Sequence, residues 1–501
     1  MNTLRQVRFL FTISAFVTAS FVTTNIRADV KLPALFSDHM VLQRDMAAPV
    51  WGTAAPGEEV TVSIAGQTKT ATADAQGKWM VKLDKLKAGD ALTLTVKGKN
   101  SITINDVLVG EVWVGSGQSN MALTVNRAKD FEAEKAAASL PHIRHFTIGT
   151  GRWAVCGPET VGTFSATAFF FAREIHKQLG VPVGILHSSV GGTPIESWIA
   201  PEAQKASPEL KGFFEAITRD DSKFDEGKAK AKYETDLAKW KEASAKAKAE
   251  NTPAPKRPQD PAVVRNRKGN VGGLYTTLIA PLIPYGIRGA LWYQGEANAN
   301  PTKAPFYEAQ LRLLVTDWRA RWGEGDFPFA WVQLPNFTSR GDGWCLVREA
   351  MLKTLALPNT GMAITVDIGE VRDIHPKNKQ DVGKRLAMWA LADVYGKKDI
   401  ASSGPLPGGH EVRGSEVVLS FKHTDGGLVA KGAELKGFVV AGEDKQWKPA
   451  KARIEGGKVI VSSADVKTPV AARYAWTDNP DCNLYNGAGI PASPFRTDDW
   501  K

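Results

Sequence analysis

Cysteine is scarce in this chain: Cys156, Cys345 and Cys482 are the only three in 501 residues. No two stand in CxxC spacing, so a zinc ribbon or finger is excluded. An odd, small number also excludes a disulfide scaffold and leaves room for at most one internal bridge. Isolated cysteines of this kind serve as small buried hydrophobes. Long apolar runs are scarce as well. The stretch from Phe9 to Val22 is short of the ~20 residues that a spanning helix needs. It follows Arg5 and Arg8 and precedes Ile26-Arg27-Ala28. That layout is a secretory signal peptide ending at Ala28. The expected mature chain is exported, periplasmic or extracellular, with no membrane span. Removal of residues 1–28 takes Arg5, Arg8 and Arg27 and no acid, so the net charge of +10 falls to +7. No long Lys/Arg patch is interleaved with aromatics, which argues against a nucleic-acid partner.

The remainder has the composition of a folded protein, 43% hydrophobic and 23% charged. Its texture changes twice. Residues 29–109 carry short alternating runs (VTVSIAG, KTATADA, KWMVKL, ALTLTVKG) broken by turn residues, the pattern of a sandwich-like β module. Residues 110–400 alternate strand-like runs (EVWVG, PVGILHSS, GALWYQG, FAWVQLP, MAITVDIG) with amphipathic helices such as FSATAFFFAREIHKQLG and DVGKRLAMWALADVYG. That alternation implies an α/β domain with a parallel sheet covered on both faces. Within it, residues 221–268 are an insertion: an Ala/Lys/Glu-rich stretch suited to an exposed helix, then a proline-rich end. Residues 401–501 return to β patterning and form a second β module.

Open parallel sheets hold their ligands at the carboxyl ends of the strands. Ser119 lies just past such an end, in GEVWVGSGQSNM. The turn exposes its hydroxyl among backbone N–H groups, the arrangement that acyl transfer requires. The α/β-hydrolase signature G-x-S-x-G is absent, because Met121 occupies the place of the second glycine. Among eight histidines, His375 is the best base. It follows a strand-like run, and Asp373 two residues earlier would share its side of an extended segment. His187, at another strand end, is a second candidate. Gly191 and Gly192 follow one strand, and Gln294 and Asn298 follow another. Close-approach glycines and amide donors are what an oxyanion hole uses.

Seven stretches carry a resemblance: LFSDHMVLQRD, VWVGSGQSNM, FSATAFFFAREIHKQLGVPVG, SSVGGTPIESW, APLIPYGIRGALWYQGEAN, DIHPKNKQDVGKRLA and NLYNGAGIPASPFRTD. Together they resemble the sialate O-acetylesterase family of the SGNH hydrolase superfamily, over nearly the whole mature chain. The resemblance implies a three-layer α/β/α hydrolase domain flanked by N- and C-terminal β modules. It implies removal of O-acetyl groups from sugars through an acetyl-serine intermediate, with no metal and no other cofactor. Carried across, Ser119 is the nucleophile and His375 the base. Gly191 or Gly192, with Gln294 and Asn298, stand at the positions of the other oxyanion or substrate-binding donors. Two departures stand out. The superfamily's Asp-x-x-His is here Asp373-Ile374-His375, which leaves Asp373 and Asp367 as rival acids. Its Gly-x-Asn-Asp is here Gln-Gly-Glu-Ala-Asn. The expected partner is an acetylated carbohydrate: O-acetylated sialic acid by family, or acetylated plant or algal polysaccharide. A glycan-binding protein built on a degenerate hydrolase core is the non-enzymatic alternative.

Overall fold

The computed structural model describes residues 29–222, 225–250, 252, 254–255, 257–258, 260–261, 271–339 and 343–500. The expected signal segment, residues 1–28, lies outside these. The sheet at the centre runs in the order Thr360–Ala363, Phe329–Val332, Gly289–Tyr293, Ser101–Gly117, Val183–Ser189, Ile143–Thr147, Trp153–Val155. The first six are parallel to their neighbours, and the last pairs antiparallel with Ile143–Thr147. The sheet is therefore mixed at one edge rather than wholly parallel.

Alternation along each strand sorts side chains to two helical layers. Trp113, Ile185, Leu291, Ala330 and Val332 share a core with the helices Ala166–Leu179 and Lys379–Trp389. Val112, Val114, Leu186, Trp292 and Trp331 face the other way, onto Tyr307–Trp322 and Gly343–Thr354. The result is three layers, α/β/α. Ala166–Leu179 begins on Ser165, whose hydroxyl accepts from the Ala168 amide, and ends at Gly180 in the left-handed conformation. The charged, alanine-rich stretch expected to be an exposed helix contains the helix Glu226–Ala249.

The strand Ser101–Gly117 does two jobs. Its first half pairs with Leu92–Lys97 of the N-terminal β module, and its second half is a central strand of the large sheet. The expected boundary at 109/110 thus falls inside one continuous strand. At that joint Glu111 is fully buried, with Arg44 and Arg288 bonded to its two carboxylate oxygens at 2.5 and 2.7 Å. The C-terminal module has its own small core, including Val417, Leu419, Val459, Phe438 and Tyr474. Arg348, fully buried, ties it on: its guanidinium donates to the carbonyls of Leu334 and Pro335 on one side and Thr477 and Asp478 on the other. No disulfide forms among the described residues; Cys156 and Cys345 are buried and Cys482 is half-buried. No helix among them is long and apolar enough to cross a membrane.

Candidate active site

Three strands end side by side. Ser189 and Tyr293 are both in register with Gly117, from opposite flanks. Gly117 has φ +136°, and a Cβ there would lie 2.1 Å from the Tyr293 carbonyl oxygen, so the chain crosses its neighbour where only glycine fits. The Gln118 amide then donates to that same carbonyl at 2.9 Å, and Ser119 opens the one-turn helix Ser119–Ala122. The sharp exit leaves Ser119 half-exposed at the rim of the sheet.

His375 reaches it from the loop that follows Thr360–Ala363. Its Nε2 lies 2.8 Å from the Ser119 Oγ. The loop is not the extended segment expected from sequence. Residues 371–375 turn, and Asp373 Oδ1 accepts from the His375 backbone N–H at 2.9 Å. The same oxygen is 3.7 Å from His375 Nδ1, too far for a hydrogen bond, and the carboxylate is about half-exposed at 51%. Asp367 is elsewhere. Arg385 holds both of its oxygens, at 2.6 and 2.8 Å, and the Tyr485 hydroxyl donates to it at 3.1 Å.

Gly191 lies against Ser119: a Cβ on it would be 3.4 Å from the Ser119 Cβ. Gly192, with φ +73°, turns the loop. Among the described residues, the N–H groups of Ser119 and Gly191 reach no backbone carbonyl. Gln294 and Asn298 occupy a different place from the one expected. Both are fully buried. Gln294 Nε2 donates to the Thr193 carbonyl and to Asn298 Oδ1, and its Oε1 accepts from the Tyr307 hydroxyl. Asn298 accepts from the Ile195 N–H and donates to Glu196. Their amides are committed to holding the loop that carries Gly191, so they support the site from beneath instead of facing it. His187 is also not brought to Ser119. Its Nε2 contacts Ser189 Oγ at 2.6 Å, its ring lies 5.2 Å from that of His145, and burial pushes its pKa down to about 4.

The structure adds three groups that have no role in the sequence reading. Asn120 Nδ2 donates to Glu296 Oε1 at 2.6 Å and to the Ile374 carbonyl at 2.9 Å. Lys379 Nζ donates to Asn120 Oδ1 and to the Pro376 carbonyl, both at 2.7 Å. Burial pushes the Lys379 ammonium down to about pKa 7, against the pull of Glu296, Glu370 and Asp373. Burial likewise raises the Glu296 carboxyl, opposed by the Asn120 hydrogen bond and by Lys379. The only sequence signal was membership in the GQSNM, YQGE and IHP-x-x-K stretches. Of the tryptophans that could have stacked on sugars, Trp113, Trp198, Trp292, Trp318 and Trp331 are fully buried core. Among the described residues, no three His, Cys, Asp or Glu side chains converge as metal ligands.

A hydroxyl hydrogen-bonded to an imidazole, beside backbone N–H groups that reach no carbonyl among the described residues, can support acyl transfer at a sheet's carboxyl edge. Comparison with known proteins agrees. Residues 270–392 match the family model described as carbohydrate esterase, sialic acid-specific acetylesterase. The chain is 28% identical to the sialate O-acetylesterase of Mus musculus over 93% of its own length and 94% of the mouse protein. It is 28% identical to that of Homo sapiens, over 93% and 92% respectively. A solved structure of a carbohydrate acetylesterase from Xanthomonas citri superposes with a TM-score of 0.79 at 36% identity, covering 94% of this chain and all of that one.

Proposed function

Since the chain belongs to the sialate O-acetylesterase family and is a carboxylic ester hydrolase of that kind, we propose that it removes O-acetyl groups from sugars through an acetyl intermediate on Ser119, with O-acetylated sialic acid as substrate. The observation that carries this reading is the 2.8 Å contact between Ser119 Oγ and His375 Nε2 at the sheet's carboxyl edge. His375 takes the hydroxyl proton as Ser119 Oγ attacks the acetyl carbonyl carbon. The carbonyl oxygen becomes an oxyanion, held by the N–H groups of Ser119 and Gly191. The intermediate collapses, the C–O bond to the sugar breaks, and His375 returns its proton to the departing sugar oxygen. Water then attacks the acetyl-serine with His375 as base again, releasing acetate and free Ser119. Asp373 steadies the loop through the His375 amide and places a negative charge near the imidazolium. The enzyme acts as an exported protein, as its first 28 residues suggest.

A second substrate reading has its own support. The solved relative at 36% identity is named a carbohydrate acetylesterase without mention of sialic acid, whereas the sialate O-acetylesterases stand at 28%. In that reading the substrate is an acetylated plant or algal polysaccharide. Acetate release from O-acetylated sialic acid and from acetylated polysaccharide separates the two. Ser119→Ala should lower either rate by ~10⁴-fold or more, and an organophosphate should label the Ser119 peptide once. Retention of more than a tenth of the activity in a folded Ser119→Ala protein would overturn the assignment.

A further inference from the structure

His375 sits on a loop with neither strand nor helix of its own, yet its ring must meet Ser119 within a few tenths of an ångström. Two carbonyls flank it in the chain. The Ile374 carbonyl accepts from Asn120 Nδ2 at 2.9 Å, and the Pro376 carbonyl accepts from Lys379 Nζ at 2.7 Å. Asn120 directly follows Ser119, so nucleophile and base are tied into one hydrogen-bonded frame. The orientation of the Asn120 amide has a single solution. Its oxygen accepts from Lys379, and its nitrogen forks to Glu296 Oε1 and to Ile374. A flipped amide would set its NH₂ against an ammonium and its oxygen against a carboxylate and a carbonyl. Lys379 also lies 5.2 Å from the centre of the Tyr293 ring, an aromatic face beside its ammonium. Lys379 and Asn120 are both fully buried, and Glu296 Oε2 is sealed from solvent with no partner among the described residues.

Burying two ionisable side chains is an expensive way to fill space. Apolar side chains of equal volume often stabilise a fold better. What the Lys379 Nζ supplies here, and a methionine would not, is a set of directed donors, one of which ends on the base's own loop. We propose that Lys379, acting through Asn120 and with Glu296 as the opposing anchor, is a positioning residue that fixes His375 against Ser119; this rests on reading those two as the reacting pair. A displacement of about 1 Å at a reacting centre can lower turnover about a hundredfold, so the frame controls rate and leaves substrate affinity alone.

The experiment compares wild type, Lys379→Met, Lys379→Gln and Ser119→Ala on a small acetyl ester, well below the melting temperature of each. Lys379→Met should retain cooperative unfolding, lose about thirtyfold or more in kcat with KM within about threefold, and slow organophosphate labelling of Ser119 in step. Lys379→Gln, which keeps a donor on a shorter neutral chain, should recover part of both rates. A folded Lys379→Met with kcat within about threefold of wild type overturns the proposal. If Lys379→Met does not fold, Lys379→Gln is judged by the same criterion. Failure of both to fold also overturns it, since the network would then serve stability and not the geometry of the site. Activity surviving in Ser119→Ala sinks the reading of the reacting pair itself, whereas an inactive Ser119→Ala beside a fully active Lys379→Met sinks only the positioning role.

Discussion

Gly117 is the residue on which the chain's exit from the sheet toward Ser119 depends. A methyl group there meets a backbone carbonyl at 2.1 Å, and φ +136° is strained for any L side chain. Nothing flexible stands in the way that could yield, so the strand end itself must shift. Gly117→Ala should therefore lower stability by about 3 kcal/mol and disable Ser119 even where the protein folds. Urea unfolding and esterase assays check both, and near-wild-type turnover would show that the strand end has slack. Asp373 calls for a gentler expectation. Its charge is half-exposed and 3.7 Å from Nδ1, where solvent screens it. An asparagine there keeps the oxygen that accepts from the His375 amide. Asp373→Asn should lower kcat by about tenfold or less with KM unchanged; a thousandfold fall would make Asp373 a direct partner of the ring. Spacing made Ser119 and His375 candidates, with His187 as a rival, and the resemblance of the stretches around them singled them out; the structure brings the two within 2.8 Å. The sequence reading misplaced Gln294 and Asn298, because an amide looks the same in sequence whether it faces substrate or the loop beneath. It assigned no contact to Asn120, Glu296 and Lys379, because Asn120 meets Glu296 and Lys379 across 176 and 259 positions of chain.

At the scale of elements, the helix Lys379–Trp389 carries more than packing. Its N-terminus is capped by Asn378, whose side chain accepts from the Asp381 amide. One turn and a half further on, Arg385 grips Asp367, which also accepts from Tyr485 in the strand Leu484–Asn486. The helix is thereby fixed to the end of the sheet and to the C-terminal module at once. The two charges are only 11% and 13% exposed, so removing one leaves the other poorly solvated. Asp367→Asn should cost about 3 kcal/mol in stability and leave kcat within about threefold, the reverse of what a triad acid would show. Chemical unfolding and steady-state kinetics on one preparation decide it; a kcat loss of a hundredfold at full stability would return Asp367 to the site. Period-2 and period-3.6 patterning was enough to find these strands and helices, because burial on one face dictates it. The turn at 371–375 left no such trace. Its shape comes from Asp373 bonding to a neighbouring amide, and the same residues read as extended when that bond is unknown.

For the whole molecule, the joint at Glu111 sets what can be separated. The carboxylate is wholly enclosed, and its two arginines come from opposite sides of the joint, Arg44 in the N-terminal module and Arg288 just before a hydrolase strand. Glu111→Gln should destabilise the protein by about 3 kcal/mol while calorimetry still shows the N-terminal module and hydrolase domain melting as one transition. Two separated transitions in the wild-type protein would refute that coupling. The texture changes at residues 109 and 400 marked where the chain alters its habits, but not whether the parts are independent. A strand that passes from one sheet into another reads in sequence as two strands of two modules.

The strand Ser101–Gly117 bears also on inheritance. At about 3.3 Å per residue, its 17 residues form a beam about 55 Å long, rooted in one module and tipped by the turn that carries Ser119. A gene spliced between its halves would have to preserve twist, register and length across the cut, or the serine would arrive displaced. Recombination between relatives is therefore expected to exchange the N-terminal module and the strand that leads to Ser119 as a single inherited block.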